Sequence, residues 1–301
     1  MPSPAFPPDS SCTWGPGPIH GCQHGADVPR NQWGQGNLRI DPTDATGKLY
    51  ALPRVSTLAG QLDNKGGLIK WAQANAVRGL AVSRALRDRA IVAVNAGDDE
   101  GLKAVVAEAE TKGGSTEAAD RGTALHAVVM PALITGQDPE IDDLAMLASI
   151  QAARKALAEA ELTPLLMEQF SVNITAGYCG TYDLLVKHQP TGKHYVTDVK
   201  TSAKLNDRNY PHKVAIQLAC YARATRWCPY RGLLRSPEID RLKGFLLSLP
   251  IDQGQAYLDP VNLELGWQGL QLAQAARSFG KTKPLGANGI HIETDALAPA
   301  L

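Results

Sequence analysis

From about residue 55 to residue 161 apolar positions recur every three or four residues, the spacing of helices that bury one face. Residues 68–95, "LIKWAQANAVRGLAVSRALRDRAIVAVN", read as one long helix or two, and further helices are expected over about 101–112, 116–134 and 140–161. Pro164 breaks this pattern, and the period then drops to two. "LLMEQFSVNI" (165–174), "GTYDLLVK" (180–187) and "KHYVTDVK" (193–200) predict three strands, with Gly177 and "HQPTG" supplying the turns. A helix over 207–227, a fourth strand over 242–251 and a closing helix over 261–279 complete the series. Helices first, then a short sheet with a helix embedded in it, predict an α/β domain with a helical N-terminal portion. Residues 1–45, rich in Pro and Gly and without periodicity, predict a flexible tail.

Composition narrows the reading only a little. Apolar residues make up 44% and charged residues 20% of the 301 positions, ordinary for a chain with ample core material. Lys plus Arg equals Asp plus Glu at 30 each, so no global basicity announces a nucleic-acid partner. The first residues carry neither a basic nor an apolar signal region, and no apolar run is long enough for a membrane span. Five cysteines spread over the chain do not form a disulfide framework. The expectation is a cytoplasmic protein with no membrane association. Cys12, His20, Cys22 and His24 lie in the predicted tail, at a spacing that matches none of the common zinc patterns.

The chemistry concentrates in "HYVTDVKTSAK", residues 194–204. Residues two apart on a strand share a face, so Asp198 and Lys200 project side by side. Taken alone, the pair is equally an ion pair on a solvated sheet face. A hairpin turn centred between Pro190 and Thr191 changes the picture, because it sets Asp183 directly opposite Asp198. Opposed residues have Cβ atoms roughly 4.5–5.5 Å apart. Two carboxylates that close repel unless a proton or cation lies between them, and a divalent metal with oxygen ligands relieves the repulsion. Lys200 then lies beside such an ion, and Glu168 on the preceding strand adds a third carboxylate. On the following helix Gln217 and Tyr221 share a face with Lys213. Between Lys200 and Lys243 ten Lys or Arg stand against three acids, including Lys204 and Arg208, a local excess suited to phosphate backbones.

The ordered set "RGTALH … MEQF … GTYDLLV … TDVKT … QLACY" resembles the RecB-like branch of the PD-(D/E)XK nuclease superfamily, which includes Cas4-like proteins and phage-type exonucleases. The resemblance runs from about residue 55 to 225 and takes in "LPRVSTLAGQL" and "KWAQANAVRG". It implies a restriction-endonuclease-like core, with a central mixed sheet flanked by helices, over residues 46–280: a helical part at 55–162, a catalytic α/β core at 163–280, and a C-terminal tail at 281–301. It implies His126, Asp183, Asp198 and the Val199 carbonyl as metal ligands, Lys200 as the catalytic lysine and Glu168 as an accessory acid. It also implies Gln217 and Tyr221 as the helix motif against site and DNA, with Lys204, Arg208 and Lys213 as further DNA contacts. Two features depart from the pattern. Many relatives have Glu where Asp198 stands, and the late cysteine triplet that holds an iron–sulfur cluster in Cas4-type relatives is missing, the last cysteine being Cys228. The expectation is a Mg²⁺- or Mn²⁺-dependent exonuclease without a cluster, acting on DNA, with a single-strand annealing or recombination protein as a candidate partner. A structure-specific endonuclease and a DNA-binding protein without turnover are the alternatives. Polarity of degradation, strand preference and oligomeric state are not legible.

Overall fold

The computed structural model describes residues 27–62, 66–202, 211–234, 236–250 and 253–281. Nine strands and eight helices follow in the order β1 (Gly36–Leu38), β2 (Tyr50–Leu52), α1 (Val55–Ala59), α2 (Gly66–Val82), α3 (Arg84–Ala96), α4 (Asp99–Lys112), α5 (Ser115–Thr135), α6 (Leu144–Glu159), β3 (Leu162–Asn173), β4 (Tyr178–His188), β5 (His194–Ser202), α7 (Pro211–Tyr221), β6 (Thr225–Cys228), β7 (Gly232–Leu233), β8 (Lys243–Pro250), β9 (Tyr257–Asn262) and α8 (Leu263–Phe279) among the described residues. Helix boundaries follow local chemistry. Ser83, Asp98, Asp143 and Asn262 each cap a helix by accepting a main-chain N–H of its first turn, and α3 stops where Gly97 turns left-handed at φ 63°.

Seven strands form one mixed sheet in the order β7-β6-β3-β4-β5-β8-β9. β5 and β8 run parallel, joined by a crossover that contains α7, and the other neighbours run antiparallel. Leu218, Ala219 and Leu270 from α7 and α8 pack with Val55 and Leu58 of α1 in one core cluster, which takes Leu185 and Val196 from the sheet. Val129, Leu133, Ile150 and Leu157 of α5 and α6 make a second cluster with Leu184, Val199 and Leu247. The sheet is thus an α/β core flanked by helices, as expected. Helices α2 to α4 hold a small cluster of their own around Leu86, Val105 and Ala109. α2 and α4 touch so closely there that a Cβ on Gly79 would collide with the Ala109 carbonyl.

Three expectations need correction. The flexible tail cannot extend to residue 45, because Val28, Leu38 and Leu52 are buried with Phe170, Val172, Cys179 and Trp227. Long-range bonds hold this segment, among them Trp227 Nε1–H to the Arg39 carbonyl at 3.0 Å. The helix predicted over 207–227 ends at Tyr221, and Thr225 and Arg226 pair with Val172 and Ser171 of β3. The closing helix begins at Leu263, since residues 257–262 form β9 against β8. Residues 1–26, with Cys12, His20, Cys22 and His24, and residues 282–301 lie outside the described residues. Among the described residues no helix is long and apolar enough to cross a membrane.

Candidate active site

β4 and β5 pair from Lys187↔His194 to Leu184↔Thr197. The same offset carried one residue further sets Asp183 opposite Asp198, the relation expected from the turn. The ladder stops at that step. Val199 turns its N–H and carbonyl toward the gap, and buried main-chain groups of this kind need partners. Its N–H donates to Asp183 Oδ2 at 2.8 Å, and its carbonyl lies 3.3 Å from His126 Nε2 on α5.

Glu168 reaches the same place by a backbone irregularity. Met167 pairs with Leu184 and Gln169 with Tyr182, while Glu168 between them takes a left-handed φ of 47°. That conformation is uncommon for a residue with a side chain and re-aims its carboxylate. Glu168 Oε1 lies 3.4 Å from His126 Nδ1, and Asp183 Oδ2 lies 3.6 Å from His126 Nε2. Both ring nitrogens therefore face acceptors. The hydrogen bond with Asp183, then that with Glu168, raises the imidazole from 6.5 to about 10, so the ring is cationic at neutral pH.

Lys200 Nζ lies 2.6 Å from Asp198 Oδ2, with side-chain exposures of 35% and 6%. The approach is off the line of a directed hydrogen bond, and Oδ2 is buried with no aligned donor. The ammonium thus balances its charge without satisfying its lone pairs. Burial first, and the charge of Asp183 second, push Asp198 up to about 6. In Asp183 burial acts in the same direction, but His126, Lys200 and the Val199 N–H outweigh it and hold the carboxyl below its ordinary value.

As the side chains stand, no group of three or more His, Cys, Asp or Glu among the described residues closes on an ion. The carboxylates instead turn to His126 and Lys200. The donor set nevertheless fits a hard divalent cation: two opposed carboxylates, one buried and one partly exposed, a main-chain carbonyl between them, and a buried carboxylate oxygen still lacking a directed partner. Asp183, Asp198 and the Val199 carbonyl would hold Mg²⁺ or Mn²⁺, with His126 and Glu168 alongside.

The structure brings together His126, Glu168, Asp183, Asp198, Val199 and Lys200. It does not bring Tyr221 to a surface. Tyr221 is 6% exposed, with its ring 6.1 Å from that of Tyr182, and it supports the sheet behind the carboxylates instead of offering a backbone contact. A Cβ on Gly180 would come within 3.0 Å of this ring. Gln217 and Lys213 are half-buried on α7, and Lys204 and Arg208 lie outside the described residues. Among the described residues the basic side chains of this run do not all face solvent. Arg226 is buried with its guanidinium on Gln169 Oε1 at 2.7 and 3.1 Å, Arg223 stacks on Trp267, and Lys243 lies over Phe245. Sequence reasoning missed the Val199 N–H as the anchor of Asp183, although the hairpin register contained the signal.

The sequence matches no protein-family model and no curated protein.

Proposed function

We propose that this protein is a metal-dependent deoxyribonuclease of the PD-(D/E)XK type, an exonuclease that hydrolyses DNA phosphodiester bonds in recombination, repair or phage DNA metabolism. The observation that carries the reading is the meeting of Asp183, Asp198, Lys200, Glu168 and His126 from four separate elements around the Val199 peptide. An ion pair on a solvated sheet face accounts for Asp198 and Lys200 alone, but not for the burial of Asp198 or for the second carboxylate set against it.

A bound Mg²⁺ or Mn²⁺ would supply Lewis acidity at the scissile phosphate and a nucleophile at neutral pH. Asp183, fixed by the Val199 N–H, and Asp198 provide its negative shell. Lys200, at 35% side-chain exposure, is open enough to offer its ammonium to the phosphate while staying next to Asp198. Glu168, at 56% side-chain exposure, faces solvent where a carboxylate can accept a proton, and His126 sets its position.

The test is degradation of end-labelled linear duplex and single-stranded DNA with Mg²⁺, Mn²⁺ or EDTA, for wild type beside Asp198→Ala and Lys200→Ala. Metal-dependent loss of label by wild type, and none by either folded variant, supports the reading. Cutting of a covalently closed circle turns it to endonuclease action. Inertness with every metal and substrate removes the enzyme claim, and binding without cutting leaves a non-catalytic DNA-binding protein.

A further inference from the structure

We propose that the cavity between the N-terminal loop and the end of α8 is a nucleotide subsite that holds a single strand of nucleic acid away from the carboxylates. The cavity measures about 580 Å³ and is lined by Trp33, Pro53, Arg54, Thr57 and Arg277 among others, with no acidic residue in its wall among the described residues. Among the described residues neither the Arg54 nor the Arg277 guanidinium has an ion pair or hydrogen bond. Unpartnered guanidiniums facing one space are suited to an anion with several acceptor oxygens, and phosphate is the fitting class. Arg30, outside the wall itself, lies near enough to Arg54 for the two charges to repel, which together with its burial lowers its pKa.

The second half of the site is an aromatic platform. Trp33 is 76% exposed, so most of its indole surface is open to a stacking partner. Its loop is rigidly built: Asn31 Oδ1 accepts the N–H groups of Trp33 and Gln35 at 3.0 Å each, and its carbonyl accepts Gly34 N–H at 2.8 Å. An indole carried on a hydrogen-bonded turn beside two arginines matches base stacking with phosphate contact, the usual means of holding unpaired strands. Stacking needs a free base face, which excludes the interior of a duplex and selects single strands or frayed ends.

The pocket is remote from the carboxylates but connected to them by β4. Arg54 bridges to Cys179, and Cys179 N–H donates to the Pro53 carbonyl at 3.0 Å. Asp183 lies four residues further along the strand, about 13 Å at the usual rise. The choice of a nucleic-acid strand over another phosphorylated ligand rests on the nuclease reading, whereas the cavity and its charge do not.

The experiment is binding in EDTA, where cleavage is blocked, followed by tryptophan fluorescence. The probes are a single-stranded oligonucleotide, deoxyadenosine monophosphate and inorganic phosphate. Wild type, Trp33→Phe, Asp198→Ala and the double variant R54Q/R277Q are compared. The five tryptophans make the Trp33→Phe difference necessary to assign the signal. The oligonucleotide is expected to quench Trp33 in wild type and in Asp198→Ala. In R54Q/R277Q affinity should fall about tenfold near 0.1 M salt, and the log–log salt slope by about 1.4. Unchanged affinity, slope and quenching in R54Q/R277Q overturn the subsite. Equal binding of the mononucleotide or of phosphate overturns the strand assignment. A wild type that cuts DNA while R54Q/R277Q still bind the strand normally defeats the subsite alone. One that quenches through Trp33 but never cuts defeats the nuclease reading alone.

Discussion

The N–H of Val199 donates to Asp183 Oδ2 at 2.8 Å, so a carboxylate ends the β4–β5 ladder where a carbonyl would otherwise continue it. Asp183 therefore has a structural duty apart from any chemistry. Asp183→Asn retains an acceptor oxygen for the Val199 N–H and loses only the charge pairing with His126 and Lys200, so it is expected to destabilise less than Asp183→Ala. Asp183→Ala leaves a buried N–H unsatisfied and should cost about 1–3 kcal/mol in urea denaturation. Both should lose metal-dependent DNA cleavage by at least about a hundredfold. Equal stability of the two variants would argue against the capping role.

Lys200 is expected to matter to the metal-free fold through Asp198, 2.6 Å away. Lys200→Ala leaves Asp198 buried without its cation. Because Lys200 is partly exposed, the cost should be about 1–2 kcal/mol, below the value for a fully buried pair. In the double variant with Asp198→Ala most of that loss should disappear, giving a coupling of about 1 kcal/mol in a double-mutant cycle. Additive losses would mean that the two charges do not interact.

Stability of the metal-free protein should depend on pH in a defined direction. His126 is raised from 6.5 to about 10, so its contribution is complete below pH 6.5 and is lost as pH rises through about 10. Asp198 is raised from 3.8 to about 6, so its contribution fades as pH rises through about 6. Asp183, held low, has the opposite sign and is lost on acidification below its ordinary value. Melting temperature should therefore fall between pH 7 and 10, and His126→Leu should flatten that limb. Mg²⁺ needs Asp198 ionised, so its stabilising shift should be larger at pH 8 than at pH 5. The same shift at both pH values would remove Asp198 from the metal shell.

Arg226 separates structural from DNA-binding arginines. Its guanidinium is buried on Gln169, so Arg226→Ala leaves the Gln169 amide oxygen unsatisfied and should destabilise by about 1–3 kcal/mol. The salt dependence of DNA binding, measured below the variant's melting temperature, should not change. A reduced salt slope would return Arg226 to the DNA-contacting surface.

The parts of the molecule that follow from local period were legible in the sequence. The opposition of Asp183 and Asp198 came from a short turn and the two-residue repeat of the flanking strands, both properties of neighbouring residues. What was lost depended on distant partners. Ala222, Arg223 and Ala224 continue a helical composition after Tyr221, yet Thr225–Cys228 become a strand because β3 offers an edge at Ser171 and Val172. The segment from residue 27 has no period because single residues such as Leu38, and main-chain carbonyls such as that of Arg39, tie it to Trp227. The place of Glu168 hangs on one left-handed residue, and the spread of the basic run depends on burial of Arg226, neither of which a charge count can show.

The Val199 peptide contributes to the site through atoms that every residue but proline shares. Its side chain packs into the cluster beneath α5 and α6, while its N–H anchors one carboxylate and its carbonyl faces the imidazole. Position 199 is thus open to exchange among apolar side chains of similar volume and closed to proline, which has no N–H to give. A comparison that weighs residue identity alone would pass over the position as ordinary core, although its main chain fixes Asp183.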